Sequence, residues 1–376
     1  MKIPIAKPYL TDDDAQNAYD TILSGWVTQG PRVEEFEEKF AKYVEAKYAV
    51  AVSSCTTALH LALIVSGIKK DDEVICPSMS FIATANAIVY AGAIPVFAEV
   101  GEDYNLDVHH VESVITKKTK AILLVHQLGM PADIDAFRIL CAKYNLVLIE
   151  DAACAAGSLY KGKKIGSHSE LVCFSFHPRK VITTGDGGMI TTSNEHYYQH
   201  LKRLRQHGMS INDRERHISK KVLTEKYPEV GYNYRMTDIQ ASVGIKQLEK
   251  LDWLVAERRK IAMRYHEAFK NIDFFRLPIE QQLHFSNYQS YSIFLKESSP
   301  ISRDELMQKL LDKDISTRRG VMTAHTETAY NHRKTKLPGS EFFSERSIII
   351  PLYVPMSETE IQYVIDSIQE IVFLKK

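Results

Sequence analysis

LVLIEDAACAAGSLYKGKKIGSHSELVCFSFHPRKVITTGDGGMITT, residues 146–192, holds three apolar runs too short for helices. Leu146–Glu150, Leu171–Phe174 and Gly188–Thr192 read as strands, because short continuous apolar segments bounded by Gly, Pro and polar residues suit a sheet covered on both faces. The first run ends in Glu150-Asp151. The second leads into Ser175-Phe176-His177-Pro178-Arg179-Lys180, and then Thr183-Thr184-Gly185-Asp186-Gly187-Gly188. Reactive side chains therefore gather where strands end, which is where open α/β sheets bind ligands.

The same alternation extends upstream. Tyr48–Val52, Glu73–Cys76, Ile94–Phe97 and Ala121–Val125 are strand candidates, and segments of helical period lie between them at Thr57–Ser66, Phe81–Tyr90 and Ile134–Tyr144. This predicts an α/β fold with a mainly parallel mixed sheet. Ahead of the sheet, Thr11 with Asp12, Asp13 and Asp14 predicts a capped helix running towards Ser24–Gly25, and a second helix spans Arg32–Ala46. After it, Thr237-Asp-Ile-Gln240 has capping-box spacing, and the apolar period predicts one long helix over about 237–269. The remainder reads as strand Tyr288–Leu295, helix Arg303–Asp312, a polar loop rich in His and Arg, strand Ser347–Ile350 and helix Glu358–Phe373. The expected division is a large domain over 1–250 and a smaller C-terminal α+β domain over 251–376. The charged stretch His207–Tyr227 reads as a surface excursion.

Composition narrows the function. The 376 residues carry 47 Lys plus Arg against 47 Asp plus Glu, so there is no general positive field to hold nucleic acid or a membrane surface. Any anionic ligand must be met locally. Five cysteines, an odd number without CxxC spacing, argue for reduced thiols and against a metal site. Nothing resembles a signal peptide, and the apolar runs are too short for a bilayer, so a cytoplasmic protein is the expectation.

The stretch 146–192 suits chemistry on a pyridine aldehyde such as pyridoxal 5′-phosphate. Such a ring acts as an electron sink while its nitrogen is protonated, which needs a buried carboxylate, and Asp151 at a strand end meets that need. The aldehyde needs one lysine whose pKa is lowered enough to attack it, and Lys180 is the candidate. Taken singly, each would be an ordinary surface charge; their joint spacing argues otherwise. Ser175 is placed to donate to a phosphate. Ser53-Ser54-Cys55-Thr56-Thr57-Ala58-Leu59 follows a strand and opens a helix, where free N–H groups and hydroxyls form an anion site. Phe81, after Pro77-Ser-Met-Ser, is placed either on the ring face or in the core. A GxGxxG fingerprint is missing, which disfavours a nicotinamide dehydrogenase.

With these residues in view, the chain resembles the DegT/DnrJ/EryC1/StrS family of sugar aminotransferases. The matches are Gly25-Trp26-Val27-Thr28-Gln29-Gly30-Pro31, Ser54 to Leu59, Ala83-Thr84-Ala85-Asn86, Glu150-Asp151-Ala152-Ala153, Ser175 to Gly188, Gly231-Tyr232-Asn233-Tyr234-Arg235-Met236-Thr237-Asp238, His325 and Tyr330. The resemblance implies fold-type I architecture, as in aspartate aminotransferase, and pyridoxal 5′-phosphate as cofactor. It implies Lys180 as the Schiff-base lysine, Asp151 on the ring nitrogen, Phe81 on the ring, Cys55, Thr56 and Ser175 around the phosphate, and Cys154 beside the cofactor. Asn233 would reach the phosphate from the partner in a homodimer with shared sites. Thr28, His177, Arg235, Arg319 and His325 would lie on the substrate side, with Arg235, Arg318 and Arg319 as cations for a diphosphate. The implied reaction moves an amino group from glutamate to C4, or alternatively C3, of a nucleotide-linked keto sugar.

One residue departs from the pattern. Three positions after the aspartate, where the family commonly has Gln, His or Glu, stands Cys154. Lys180 itself argues against the dehydratase branch, in which histidine replaces that lysine. Two rivals remain: a cofactor-fold protein without catalysis, which Lys180 and Asp151 oppose, and a different pyridoxal enzyme such as a decarboxylase or a desulfurase, the latter needing a mobile cysteine where Cys154 and Cys173 read as buried.

Overall fold

The computed structural model describes residues 1–211, 216 and 219–373, so part of His207–Tyr227 lies outside the described residues. Seven strands form the central sheet: β1 (Tyr48–Val52), β2 (Glu73–Pro77), β3 (Ile94–Ala98), β4 (Thr119–Val125), β5 (Val147–Asp151), β8 (Leu171–Ser175) and β9 (Gly188–Thr192). Two short strands, β6 (Leu159–Tyr160) and β7 (Lys163–Lys164), intervene and form a hairpin outside this sheet, where β6 also pairs with β11 (His284–Phe285). The spatial order is β1-β9-β8-β5-β4-β2-β3. β9 runs antiparallel to both neighbours, and the remaining pairs are parallel.

Strand periodicity divides the core in two. Val50, Val74, Leu123, Ile149 and Ile190 face one apolar layer, while Ala51, Ile75, Leu124, Leu148 and Met189 face the other. This is the period-two alternation of a pleated strand applied to a sheet buried on both faces. On β5 it sends Glu150 and Asp151 to opposite sides. Glu150 meets His126 Nε2 at 2.8 Å, whereas Asp151 faces the layer that carries the helices Cys55–Val65 and Ala83–Tyr90. The strand starts one residue later than the sequence suggests, because Asn145 turns the preceding helix off in a left-handed conformation (φ 53°) and Leu146 N donates to Cys141 O. Asp151 thereby becomes the last residue of the strand.

The expected long helix is two helices, Asp238–Glu249 and Leu251–Phe269, parted at Lys250. The capping box at Thr237 and Gln240 is present. At the junction the Lys250 side chain reaches the first helix of the chain: its Nζ lies 2.6 Å from Asp14 Oδ2 and 2.7 Å from Thr11 Oγ1. Gln247 adds a bond to Asp14 Oδ1 at 3.1 Å. Burial pushes the Asp14 carboxyl up, but Lys250, Gln247 and Thr11 outweigh it and hold it below its usual value. A carboxylate depressed on folding stabilises above its unfolded pKa, and that stabilisation disappears as pH falls through the folded value. Asp14→Asn is expected to cost about 1–3 kcal/mol near neutrality. In urea melts its gap to wild type should close below about pH 4; a gap independent of pH would refute this account.

The C-terminal unit carries a four-stranded sheet in the order β10 (Phe275–Arg276), β12 (Tyr291–Leu295), β14 (Ser347–Ile350), β13 (Arg318–Arg319). The helices Arg303–Asp312 and Glu358–Phe373 appear as predicted. β12 begins three residues late because Asn287–Ser290 is spent on contacts with the large sheet's loops. The predicted His/Arg loop contains an edge strand and the helix Pro338–Arg346. Chain order does not fix membership: Ile3 N donates to Asp314 O, so the first residues lie on the C-terminal unit.

Candidate active site

A cavity of about 430 Å³ opens at the C-terminal ends of β5 and β8, between the large sheet and β13. Its walls include Cys55, Thr56, Phe81, Asp151, Cys154, Ser175, His177, Lys180 and Arg319, nine of the expected site residues.

Asp151 is the floor. It is 4% exposed, and each oxygen accepts one protein donor: Oδ2 from Thr84 Oγ1 at 2.9 Å and Oδ1 from Ala153 N at 3.1 Å. A carboxylate oxygen takes two donors, so capacity remains for a cationic N–H. Burial pushes the Asp151 carboxyl above its usual value, only partly offset by Ala153, Thr84 and Lys180. A positively charged partner is what such a carboxylate lacks.

Lys180 is carried by the turn after β8, where Lys180 N donates to His177 O at 2.8 Å. Its Nζ lies 3.2 Å from Cys154 Sγ. The expected lowering of its pKa is not what the cavity produces. Burial pushes the ammonium down, but Cys154, then Cys55 and Asp151, push it up further, and the net direction is upward. For His177, burial and the neighbouring Arg179 charge hold the imidazole below its usual value. Cys55 and Cys173 are pushed well up by burial and stay thiols. Cys154 differs from the sequence reading: it is half-buried and lines the cavity.

The anion cradle is built by close packing. Ser54 caps the helix Cys55–Val65 by accepting from Thr57 N at 3.2 Å, leaving the earlier N–H groups of the first turn for a ligand. The helix start rests on β9: a Cβ at Gly188 would meet Ser54 O at 2.4 Å, so only glycine permits the approach. Ser175 lines the same wall. Phe81 is 62% exposed at the mouth, an aromatic surface without a core partner. A buried carboxylate, a lysine amine, an aromatic face and a hydroxyl-rich helix start form a donor set that fits a phosphorylated pyridine aldehyde.

Four expected residues are not part of this lining. Thr28 and Asn233 are exposed elsewhere, with Asn233 bridged to Gln206, and Arg235 is bridged to Val52. His325, expected beside substrate, is 3% exposed and sits in a buried network between Ser78 Oγ and Glu341 Oε1, the latter at 2.9 Å. The bridge of Met79 with Thr323 and the bond from Ala324 N to Ser78 O at 2.7 Å hold His325 in that network.

Other residues escaped the sequence reading. Thr84 is legible in principle, because it stands inside the motif Ala83-Thr84-Ala85-Asn86. Asn287 and Gln289 were not, because their partners are distant in sequence. Asn287 Nδ2 donates to Cys154 O and to Ala156 O, both at 2.8 Å, and Gln289 Nε2 donates to Arg179 O at 3.0 Å. Buried Arg258 fixes this segment by donating to Tyr288 O at 2.9 Å and Gln289 O at 2.5 Å. Among the described residues, no cluster of His, Cys, Asp and Glu is arranged to hold a metal, and no helix is long and apolar enough to cross a membrane.

A model of the DegT/DnrJ/EryC1/StrS aminotransferase family matches residues 8–369. An uncharacterised protein of Methanocaldococcus jannaschii is 37% identical, over 98% of this chain and 97% of its own length. Helicobacter pylori PseC, an aminotransferase involved in the biosynthesis of pseudoaminic acid, superposes with a TM-score of 0.92 at 26% identity, covering 100% of both chains. A Streptococcus pneumoniae protein solved in PMP and PLP forms gives TM-scores of 0.94 and 0.93 at 28% identity, again over 100% of both chains.

Proposed function

Because the chain belongs to the DegT/DnrJ/EryC1/StrS aminotransferase family, we propose that it moves an amino group, taken from glutamate, to C4 of a nucleoside-diphosphate keto-deoxy sugar. The family is pyridoxal-phosphate-dependent, and the fold is that of fold-type I enzymes. The observation that carries the residue assignment is the meeting of Asp151 and Lys180 in one cavity whose outer wall holds Arg318 and Arg319.

When bound, pyridoxal phosphate supplies an aldehyde carbon for the amino group and a protonated ring that draws electrons from the reacting carbon. Asp151 keeps the ring nitrogen protonated, with Thr84 and Ala153 fixing the carboxylate. The N–H groups of the helix start, with Thr56 and Ser175, hold the phosphate. Phe81, at the cavity mouth, would pack on the ring and limit water at the reacting face. The proton lost by the donor's α-carbon and the proton gained by the sugar's keto carbon both pass through Nζ of Lys180. Glutamate must leave as its keto acid before the sugar enters, because both use the same nitrogen. Asn233 acts across a homodimer, which is the assembly this reading requires.

Adding glutamate to the purified protein with pyridoxal phosphate should replace the visible band by the amine form's absorption, and a screen of 4-keto and 3-keto sugar nucleotides should yield one amino sugar. A band indifferent to glutamate would overturn the donor assignment. Amination of 3-keto sugars alone would move the product to C3. No amino sugar with any nucleotide would end the substrate proposal.

Arg319 reaches the cavity while paired with Glu327 Oε1 at 3.2 Å, and its side chain is 57% exposed. Such an exposed pair holds it weakly, so a diphosphate can displace the carboxylate. Arg319→Ala is expected to raise the sugar-nucleotide KM about fivefold to tenfold with kcat little changed. An unchanged KM would remove the residue from the diphosphate site.

A further inference from the structure

We infer that Ser80 is a positioning residue for the carboxylate that meets the ring nitrogen: its hydroxyl donates to Thr84 Oγ1 at 2.8 Å, Thr84 Oγ1 donates to Asp151 Oδ2 at 2.9 Å, and the two hydroxyls in series hold Asp151 in its charged form. This inference rests on the pyridoxal-phosphate reading of the cavity, which Ser80 lines together with Phe81.

The direction of the two bonds follows from counting protons. Each hydroxyl has one proton to donate, and an ionised carboxylate has none. With Asp151 ionised, Thr84 gives its proton to Oδ2, Ser80 gives its proton to Thr84, and both protons have acceptors. With Asp151 protonated at Oδ2, both bonds would reverse, and the Ser80 proton would have no protein acceptor among the described residues. Protonation at Oδ1 would leave Thr84 donating to a neutral acid, a weaker bond. The series therefore favours the charged carboxylate.

The arrangement is built into the fold. Ser80 stands in the turn after β2, and Thr84 in the first turn of the helix Ala83–Tyr90, where Thr84 N donates to Phe81 O at 3.1 Å. Both side chains are buried, so water competes little for either hydroxyl. The turn is tied down at several points: Ser80 N donates to Ser78 O at 2.9 Å, Ala324 N donates to the same oxygen at 2.7 Å, and Gln127 Nε2 donates to Met79 O. The short stretch Ser80–Thr84 thus supplies both an aromatic face, at Phe81, and the support of the carboxylate.

Burial works against a charge on Asp151, and Thr84 is among the groups that offset it. A hydroxyl that accepts a hydrogen bond donates a stronger one, so Ser80 reinforces the bond that Thr84 makes. A charged carboxylate attracts a protonated ring nitrogen, and a neutral one does not. Loss of the Ser80 hydroxyl weakens that attraction while Lys180, Phe81 and the phosphate cradle stay in place. The effect should therefore appear with a ring that carries nitrogen and be absent with a ring that carries C–H at that position.

Calorimetric titration of the cofactor-depleted full-length protein at neutral pH tests the inference, with pyridoxal phosphate and with its analogue in which C–H replaces the ring nitrogen. Ser80→Ala should weaken binding of pyridoxal phosphate about fivefold and of the analogue by less than about twofold. Thr84→Val should weaken pyridoxal phosphate about tenfold with the same selectivity, and Thr84→Ser, which keeps the hydroxyl, should bind as wild type. In the Thr84→Val background Ser80→Ala should add nothing, because Ser80 acts through Thr84. Ser80→Cys, a poorer donor of similar shape, carries the same expectations should Ser80→Ala not fold. Equal weakening of both ligands by the Ser80 variant would mark a packing effect and overturn the inference, as would unchanged affinity for pyridoxal phosphate or a further loss in the Thr84→Val background. Failure of the underlying reading shows instead in the wild type: equal affinity for the two ligands would end the assignment of Asp151 to the ring nitrogen, and binding of neither would end the cofactor reading, each taking this inference with it.

Discussion

Lys180→Ala is expected to lower the rate of amino transfer by at least about 10³-fold, because one substitution removes both the amine that holds the cofactor and the base that moves the proton. The side chain lines the cavity, and its described neighbours offer no second amine: the nearby cations Arg179, Arg318 and Arg319 carry guanidinium groups instead. The visible band of the purified protein should be lost with activity, while the apolar layers of the sheet, which do not include Lys180, should leave folding intact. Supplied amines that restore part of the rate would support the proton role. A variant that keeps both band and turnover would overturn the assignment of Lys180.

Asp151→Asn is expected to lower turnover about 10²- to 10³-fold, on the scale of removing one preorganised charge from a buried site. An amide at the end of β5 preserves shape and its contact with Thr84, but it no longer stabilises a positive ring nitrogen. The effect on stability should have the opposite sense. Burial raises the Asp151 carboxyl, so on folding its pKa moves above the unfolded value. A group raised in this way contributes stability at low pH and loses it as pH rises through the folded pKa. Without cofactor, Asp151→Asn should therefore be at least as stable as wild type at neutral pH, with the difference shrinking as pH falls towards the carboxylate range. Thermal melts of both proteins across pH test this. A variant less stable than wild type at neutral pH and equally active would contradict both halves.

The two expectations differ in how much of their basis lies in local sequence. Asp151 and Lys180 were visible because strand ends have local signatures: an apolar run, a carboxylate, then small residues and a lysine in a turn. The surroundings of His325 were not legible, because a histidine carries no mark of the direction it faces, and its partners Ser78 and Glu341 lie at distant points of the chain. The break at Lys250 was hidden for a similar reason. Helical period continues through it, while the partner that Lys250 meets at the break is an aspartate in the first helix.

Residue order alone determined the alternation of apolar segments, the α/β class, the helix cap at Thr237, and the identity of the residues that line the cavity from β5 and β8. These depend on interactions within a few residues of one another, so periodicity and spacing record them. Only the tertiary structure decided that Cys154 faces the lysine at 3.2 Å, that Thr84 steadies Asp151, and that Asn287–Gln289 and Arg258 hold the whole group in place. Those contacts join segments many residues apart, and their strength comes from burial and hydrogen-bond geometry that exist only once the sheet has closed against the C-terminal unit.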